Sequence, residues 1–338
     1  DHSLFGFDDV ASLILNRVLK TTLSTVSSVI CVSHTCRDNF IMRVNMDPSI
    51  VHAIPNAVDT SKFIPDPSRR VKDRIKVIVI SRLVYRKGVD LLVGIIPQIC
   101  SKYHNVDFII GGDGAKRLAL EEMVERERLQ DRVDFLGAVP HDKVRDVLVK
   151  GHVFLNCSLT ESFCIALLEA ASCGLFAVST NVGGVPEVLP PDMAFLSEPN
   201  VSSLVQNLSR VIDENITTQV NPFDFHNRVK QMYSWRRVAR DTVTIYNHVL
   251  YKQPRLTFLE RLNRYVTVGS VAGLVACILA VTLHFYVMLV EWMQPRENID
   301  VVPDIGLCSE KELSRYCENG RHDSVNNDGD DGGAGKKN

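Results

Sequence analysis

Between Arg74 and Leu196 the chain alternates short, almost wholly apolar runs with longer segments whose apolar residues recur every three or four positions. The runs Lys76–Ser81, Val106–Gly111, Val133–Leu136, Val153–Asn156, Phe176–Thr180 and Ala194–Leu196 have the length of strands. Near-continuous apolar character means burial on both faces, as in a parallel sheet covered by helices. The segments between them, Val89–Tyr103, Lys116–Arg128, His141–Lys150 and Ser162–Cys173, carry the helical period, and Gly174 stands where a C-terminal cap would sit. Strand–helix alternation at this spacing predicts a doubly wound α/β domain.

Two earlier runs, Val26–Ser33 and Val51–Ile54, read as strands of another α/β unit, joined to the first by the proline-bearing stretch from Pro55 to Arg74. Two strands are too few for such a unit, so the expectation is a chain that begins partway through one. The amphipathic segment Asp9–Leu23 is expected to pack on the sheet rather than lie on a membrane. After Leu196 two or three helices run to about Tyr251.

A different pattern follows. From Tyr265 to Val290 there are 26 residues without one Asp, Glu, Lys or Arg. At about 1.5 Å per residue, a helix of that length crosses a ~30 Å hydrocarbon core. Before it, Lys252, Arg255, Arg261 and Arg264 outweigh Glu260; after it, Glu291, Glu297, Asp300 and Asp304 outweigh Arg296. The positive-inside tendency places the long N-terminal body in the cytosol and the tail across the membrane. The tail ends in the polar stretch Asn326–Gly333, which cannot order itself, and holds Cys308 and Cys317, which could pair.

Composition narrows the function classes. A 45% hydrophobic and 23% charged chain is an ordinary globular one, and a net charge of −2 argues against a nucleic-acid binder held by phosphate contacts. Nine scattered cysteines without a Cys-x-x-Cys fit neither a zinc module nor a disulfide scaffold.

Candidate chemistry gathers where the strands end. Ser81–Gly88 follows the first strand of the main unit and carries Arg82 and Lys87 at the edge where open α/β sheets bind ligands. Two cations there can neutralise a diphosphate. Gly111-Gly112-Asp113-Gly114 follows the next strand, and missing side chains let backbone N–H groups approach a ligand. In Ser158–Glu169, Glu161 stands before an expected helix and Glu169 two turns inside it, so both could flank one ligand over the helix tip. Asn181–Glu187 supplies Gly183 and Gly184 at the same edge.

Arg82 with Lys87, the glycine turn, Glu161 with Glu169, and the Gly-Gly-x-Pro-Glu loop together resemble the nucleotide-binding half of the retaining glycosyltransferases of the GT-B fold (family 4). The resemblance covers roughly residues 50–250. The segments Asp1–Phe7, Ile54–Asp59 and Ser81–Gly88, with the single C-terminal span, are similar to a branch of that family that starts glycosylphosphatidylinositol-anchor synthesis. It implies a remnant acceptor-side domain at 1–60, a nucleotide-sugar domain at 61–250, a span at 265–290, and a lumenal tail at 291–338. Arg82 and Lys87 would then hold the diphosphate of UDP-N-acetylglucosamine, Glu169 the ribose, and Glu161 the transferred sugar. Gly112, Gly183 and Gly184 would lie near phosphates or sugar, and His2 near the sugar and the leaving phosphate.

The resemblance further implies phosphatidylinositol as acceptor, partner subunits, no metal or other cofactor, and a single-pass place in the endoplasmic reticulum membrane. Ala115 and Cys164 depart from the family's usual proline and glycine. Donor motifs are shared widely, which leaves a family 4 enzyme with another sugar or acceptor, or a truncated non-catalytic form that binds nucleotide or partners, as alternatives.

Overall fold

A computed structural model describes residues 2, 4, 10–252, 254 and 256–295. Arg255, Arg296, Glu297, Asp300, Asp304, Cys308, Cys317 and the polar tail lie outside the described residues, as do Asp1, Ser3 and Phe5–Phe7.

Packing divides the chain at Cys277–Ile278, and both sheets fall in the first part. A small parallel pair, β1 (Val29–Cys31) and β2 (Val51–Ala53), comes first, with α1 (Val10–Leu23) before it and α2 (His34–Val44) between its strands. The main sheet has six strands: β3 (Ile75–Ile80), β4 (Val106–Gly111), β5 (Val133–Gly137), β6 (Val153–Asn156), β7 (Phe176–Thr180) and β8 (Ala194–Ser197). Its order is β5-β4-β3-β6-β7-β8 and every pairing is parallel. The chain therefore builds outward from β3 to one edge, returns to lay β6 on the other side of β3, and builds outward again. Such a reversal leaves a crevice at the carboxyl ends of the two central strands, here β3 and β6. Val77 lies opposite Val153 and Ile78 opposite Phe154, which fixes where those two ends stand.

The helices α3 (Val89–Lys102), α4 (Arg117–Arg126), α5 (Val144–Leu148), α6 (Ile165–Ser172) and α7 (Val201–Asp213) cover the sheet. Four residues of α3, Leu92, Ile95, Ile96 and Ile99, are fully enclosed, as the helical period requires. Ile78, Phe108 and Phe154 are enclosed between the layers, and β6 is buried along its whole length. Central strands with no solvent face explain the continuous apolar runs of the sequence.

Three expectations differ from the structure. The helix expected from Ser162 begins at Ile165, so Glu161 lies on a loop and shares no helical face with Glu169. The segment His141–Lys150 is a 3₁₀ turn at His141–Lys143 followed by the five-residue α5. And α1 meets the core only through Leu19 and Leu23: it packs against α2, buries Ser12 and Asn16, and exposes Val10, Leu13 and Ile14.

After α8 (Ile216–Gln219), α9 (Pro222–Met232) and α10 (Trp235–Lys252), the chain forms α11 (Phe258–Val266) and α12 (Ser270–Met293). The uncharged stretch is thus interrupted by a turn at Thr267–Gly269. Among the described residues α12 alone, with 24 residues, is long and apolar enough to cross a membrane. α11 opens on a capping box in which the Thr257 amide donates to the Glu260 carboxylate at 2.7 Å.

Candidate functional site

Two loops face each other across the crevice between β3 and β6. The loop after β3 carries Arg82, Val84, Arg86 and Lys87; the loop after β6 carries Thr160, Glu161 and Ser162. With His2 and Leu4, these residues line one cavity of about 380 Å³. The Arg82 carbonyl accepts from the Val84 amide at 2.9 Å, while its guanidinium has no hydrogen bond or ion pair among the described residues and is available to a ligand.

The loop after β3 is set by the turn after β4. Leu83 is fully buried; its amide donates to the Asp113 carbonyl at 2.8 Å and its own carbonyl accepts from the Lys116 amide at 2.9 Å. Gly112 has φ +143°, and a Cβ there would lie 1.8 Å from the Ser81 carbonyl oxygen. Only glycine lets the β4 turn pass this close. Gly112 does not line the cavity; it underlies the backbone that presents Arg82.

Glu161 is held from several sides. Its carboxylate pairs with the Lys87 ammonium, and the Ser158 hydroxyl lies 2.8 Å from the same oxygen. That hydroxyl is also 2.9 Å from Asn156 Oδ1, whose amide donates to the Ser179 hydroxyl at 2.9 Å. The backbone is fixed as well. The Gly184 amide donates to the Glu161 carbonyl at 2.9 Å, and the Ser33 hydroxyl donates to the Ser162 carbonyl at 2.7 Å. Gly183 has φ +53°, and a Cβ there would stand 2.1 Å from the Glu161 carbonyl oxygen. Gly183 and Gly184 therefore lie behind the Glu161–Ser162 backbone and do not line the cavity.

The Ser162 hydroxyl donates to the His2 carbonyl at 2.6 Å, which ties the N-terminal segment to this wall. Burial lowers the pKa of the His2 imidazole below its ordinary value. Cys164 precedes α6 with φ −93°, a conformation open to any residue, so its departure from glycine strains nothing. Burial pushes its thiol up to about 12, and it stays protonated.

Glu169 is placed elsewhere. It is buried in the second turn of α6, its Oε1 3.1 Å from His141 Nε2, and it does not line the cavity. Burial raises its pKa, against the pull of the His141 imidazole. His141 escapes a reading of the sequence, since one histidine after a proline carries no periodic signal. Arg86 escapes it as well, although the loop that marks Arg82 and Lys87 includes it.

The Gly-Gly-x-Pro-Glu loop has a further contact. Glu187 accepts from the His34 and Thr35 amides at 2.6 and 2.8 Å and from the Thr35 hydroxyl at 2.7 Å. Burial alone would raise its pKa, but the hydrogen bonds from Thr35 and His34 bring it below the ordinary glutamate value. A carboxylate at the start of α2 also complements the helix dipole.

The sequence family described as glycosyl transferases group 1 matches residues 60–224, the segment that holds both crevice loops. Solved structures agree on the fold. Sucrose-phosphate synthase from Thermosynechococcus elongatus superposes with a TM-score of 0.64 at 21% identity, over 75% of this chain and 67% of that one. HepE from Anabaena, solved with UDP and glucose, gives 0.63 at 21% identity, over 73% and 70%. At the level of sequence the likeness is much closer. A phosphatidylinositol N-acetylglucosaminyltransferase subunit of Arabidopsis thaliana is 51% identical over 91% of this chain and 68% of its own length. The Homo sapiens protein of the same name is 49% identical, over 90% and 63%. The chain thus spans about two thirds of the length of these relatives. A parallel sheet gathers cations and a carboxylate at its central crevice, and identity to these relatives is near one half over nine tenths of the residues. The chain is therefore a member of the group 1 glycosyltransferases, in the family of phosphatidylinositol N-acetylglucosaminyltransferase subunits.

Proposed function

We propose that the protein transfers N-acetylglucosamine from UDP-N-acetylglucosamine to an inositol hydroxyl of phosphatidylinositol, the first step of glycosylphosphatidylinositol-anchor synthesis. The observation that carries this reading is the meeting of Arg82, Arg86, Lys87, Glu161 and His2 on one cavity at the crossover of a parallel sheet. The bond between the anomeric carbon and the diphosphate oxygen breaks and the bond to the inositol oxygen forms on the same face, with retention. The inositol proton passes to the departing UDP.

In that reaction the three cations stabilise negative charge growing on the diphosphate, as a divalent ion does elsewhere. Glu161, already oriented by Ser158, accepts hydrogen bonds from the sugar, and His2 donates one near the leaving oxygen. Glu169 holds ribose hydroxyls after exchanging its contact with His141. Gly112, Gly183 and Gly184 act through the loops they support.

α12 spans the endoplasmic reticulum membrane once, with the catalytic body cytosolic and the tail lumenal. The basic residues Arg261 and Arg264 before it and Glu291 at its end support that orientation. Relatives are named as subunits, which supports assembly with partner chains.

The test is transfer of labelled N-acetylglucosamine to phosphatidylinositol by membranes holding the full chain and its partners. Lys87→Ala and Glu161→Ala should abolish transfer; unchanged transfer by either variant overturns the reading. A panel of UDP- and GDP-sugars in the same assay identifies the donor.

A further inference from the structure

A second cavity, of about 260 Å³, lies at the base of the membrane-spanning helix and shares no lining residue with the crevice. Its polar lining comes from Lys20 and Ser24 of the α1 end, Asn45 and Asp47 after α2, and Arg264 and Thr267 at the α11 end. Its volume is about nine times the ~30 Å³ that a water occupies in the liquid. That is room for a phosphate with part of its ester.

Charge decides what such a space takes. Neither Lys20 nor Arg264 makes an ion pair among the described residues. The carboxylate in the lining, Asp47, is engaged by the Ser49 amide at 2.9 Å. The two cations outnumber this one carboxylate, and with the hydroxyls and amide around them they favour an anion with several acceptor oxygens.

Position decides where that anion comes from. Val268 closes the cavity, is buried, and stands two residues before α12 begins. Arg17 donates to its carbonyl at 3.0 Å and so fastens α1 to the segment that leads into the span. Both helices that border the cavity show large apolar side chains to the outside, Leu13, Ile14 and Val18 on α1, Leu259 and Val266 on α11. Amphipathic helices of this kind lie at the headgroup level with their apolar faces toward the acyl chains. We infer that Lys20 and Arg264 hold the headgroup phosphate of an anionic membrane phospholipid, at a site separate from the transfer reaction. The inference rests on the proposed span by α12, since only a bilayer places headgroups at that depth.

The full chain is incorporated into nanodiscs of phosphatidylcholine with a minor fraction of phosphatidylglycerol, which offers the phosphodiester without inositol, and retained lipid is counted by native mass spectrometry. The wild-type chain should keep phosphatidylglycerol selectively. Lys20→Ala and Arg264→Ala should each lower that preference about fivefold, the effect of one cation near an anionic surface. Lys20→Arg should keep it, and UDP affinity should be unchanged throughout, which excludes misfolding. Equal retention by the Lys20→Ala, Arg264→Ala double variant overturns the site. Displacement of the lipid by soluble glycerol phosphate overturns its assignment to a membrane source. A chain that fails to enter the disc overturns the span and the site together, whereas an inserted chain without selectivity overturns the site alone.

Discussion

The Lys87 ammonium and the Glu161 carboxylate pair across the sheet's crossover and join the loop after β3 to the loop after β6. Both side chains are mostly buried, at 23% and 12% exposure. The loop that Lys87 anchors also carries Arg82 and Arg86, so the pair fixes the width of the space a diphosphate would enter.

Removing Lys87 should therefore act on chemistry before stability. Lys87→Met is expected to lower transfer by about 10²–10³, the effect of deleting one preorganised charge. A double-mutant cycle with Glu161→Gln, measured by denaturant unfolding, should return a coupling of roughly 0.5–3 kcal/mol. Additive effects would show that the pair is incidental.

Gly183→Ala adds one methyl group that would meet the Glu161 carbonyl oxygen at 2.1 Å and Leu4 Cδ1 at 2.7 Å, on two residues of the cavity wall. It must displace the Glu161 carbonyl and adopt a left-handed backbone, so it should destabilise by about 1–3 kcal/mol. Donor affinity should fall as well, because the displaced residue is Glu161. Calorimetry with UDP-N-acetylglucosamine on the folded variant measures the second effect.

Glu187→Ala leaves the His34 and Thr35 amides at the start of α2 without their acceptor. The cost should be about 1–2 kcal/mol, that of a lost helix cap. Hydrogen exchange should show α2 opening more readily while β3–β8 keep their protection.

His152 gives a pH dependence. Its Nδ1 accepts from the Lys76 amide at 3.1 Å, and burial with the nearby Arg70 and Lys76 holds its pKa at about 4, below the ordinary 6.5. Between these values the unfolded chain binds a proton that the folded chain refuses. Stability should therefore fall as pH drops from about 6.5 to 4 and be insensitive to this group above 7. Denaturant unfolding across that range, with and without His152→Gln, checks the sign.

The strands are legible in the sequence because burial on both faces leaves a run of apolar residues that little else imitates. The start of α6 is not. The carbonyls of Glu161 and Ser162 are taken by the Gly184 amide and the Ser33 hydroxyl, partners 23 residues later and 129 residues earlier in the chain. A helical period cannot report such long-range claims on the backbone. The apolar positions of α1 suggest a face laid on the sheet, yet its buried residues are Ser12 and Asn16, and only Leu19 and Leu23 near its end pack on the core.

Arg82, Lys87 and Glu161 can be found from sequence because strand ends in an α/β sheet share one edge, whichever strands are neighbours. The roles of Gly112, Gly183 and Gly184 depend on backbone approach distances, which no motif states. The contact between Glu169 and His141 joins segments 28 residues apart and is invisible for the same reason.

A diphosphate seated between Arg82 and Lys87 is the point on which the proposed transfer most depends. Titration calorimetry of UDP into the full chain tests that directly. Arg82→Ala and Lys87→Ala should each raise the Kd about tenfold or more, as loss of a charge-assisted contact worth ~1.4 kcal/mol or above requires. Affinity equal to wild type in both variants would place the nucleotide elsewhere and contradict the proposed site.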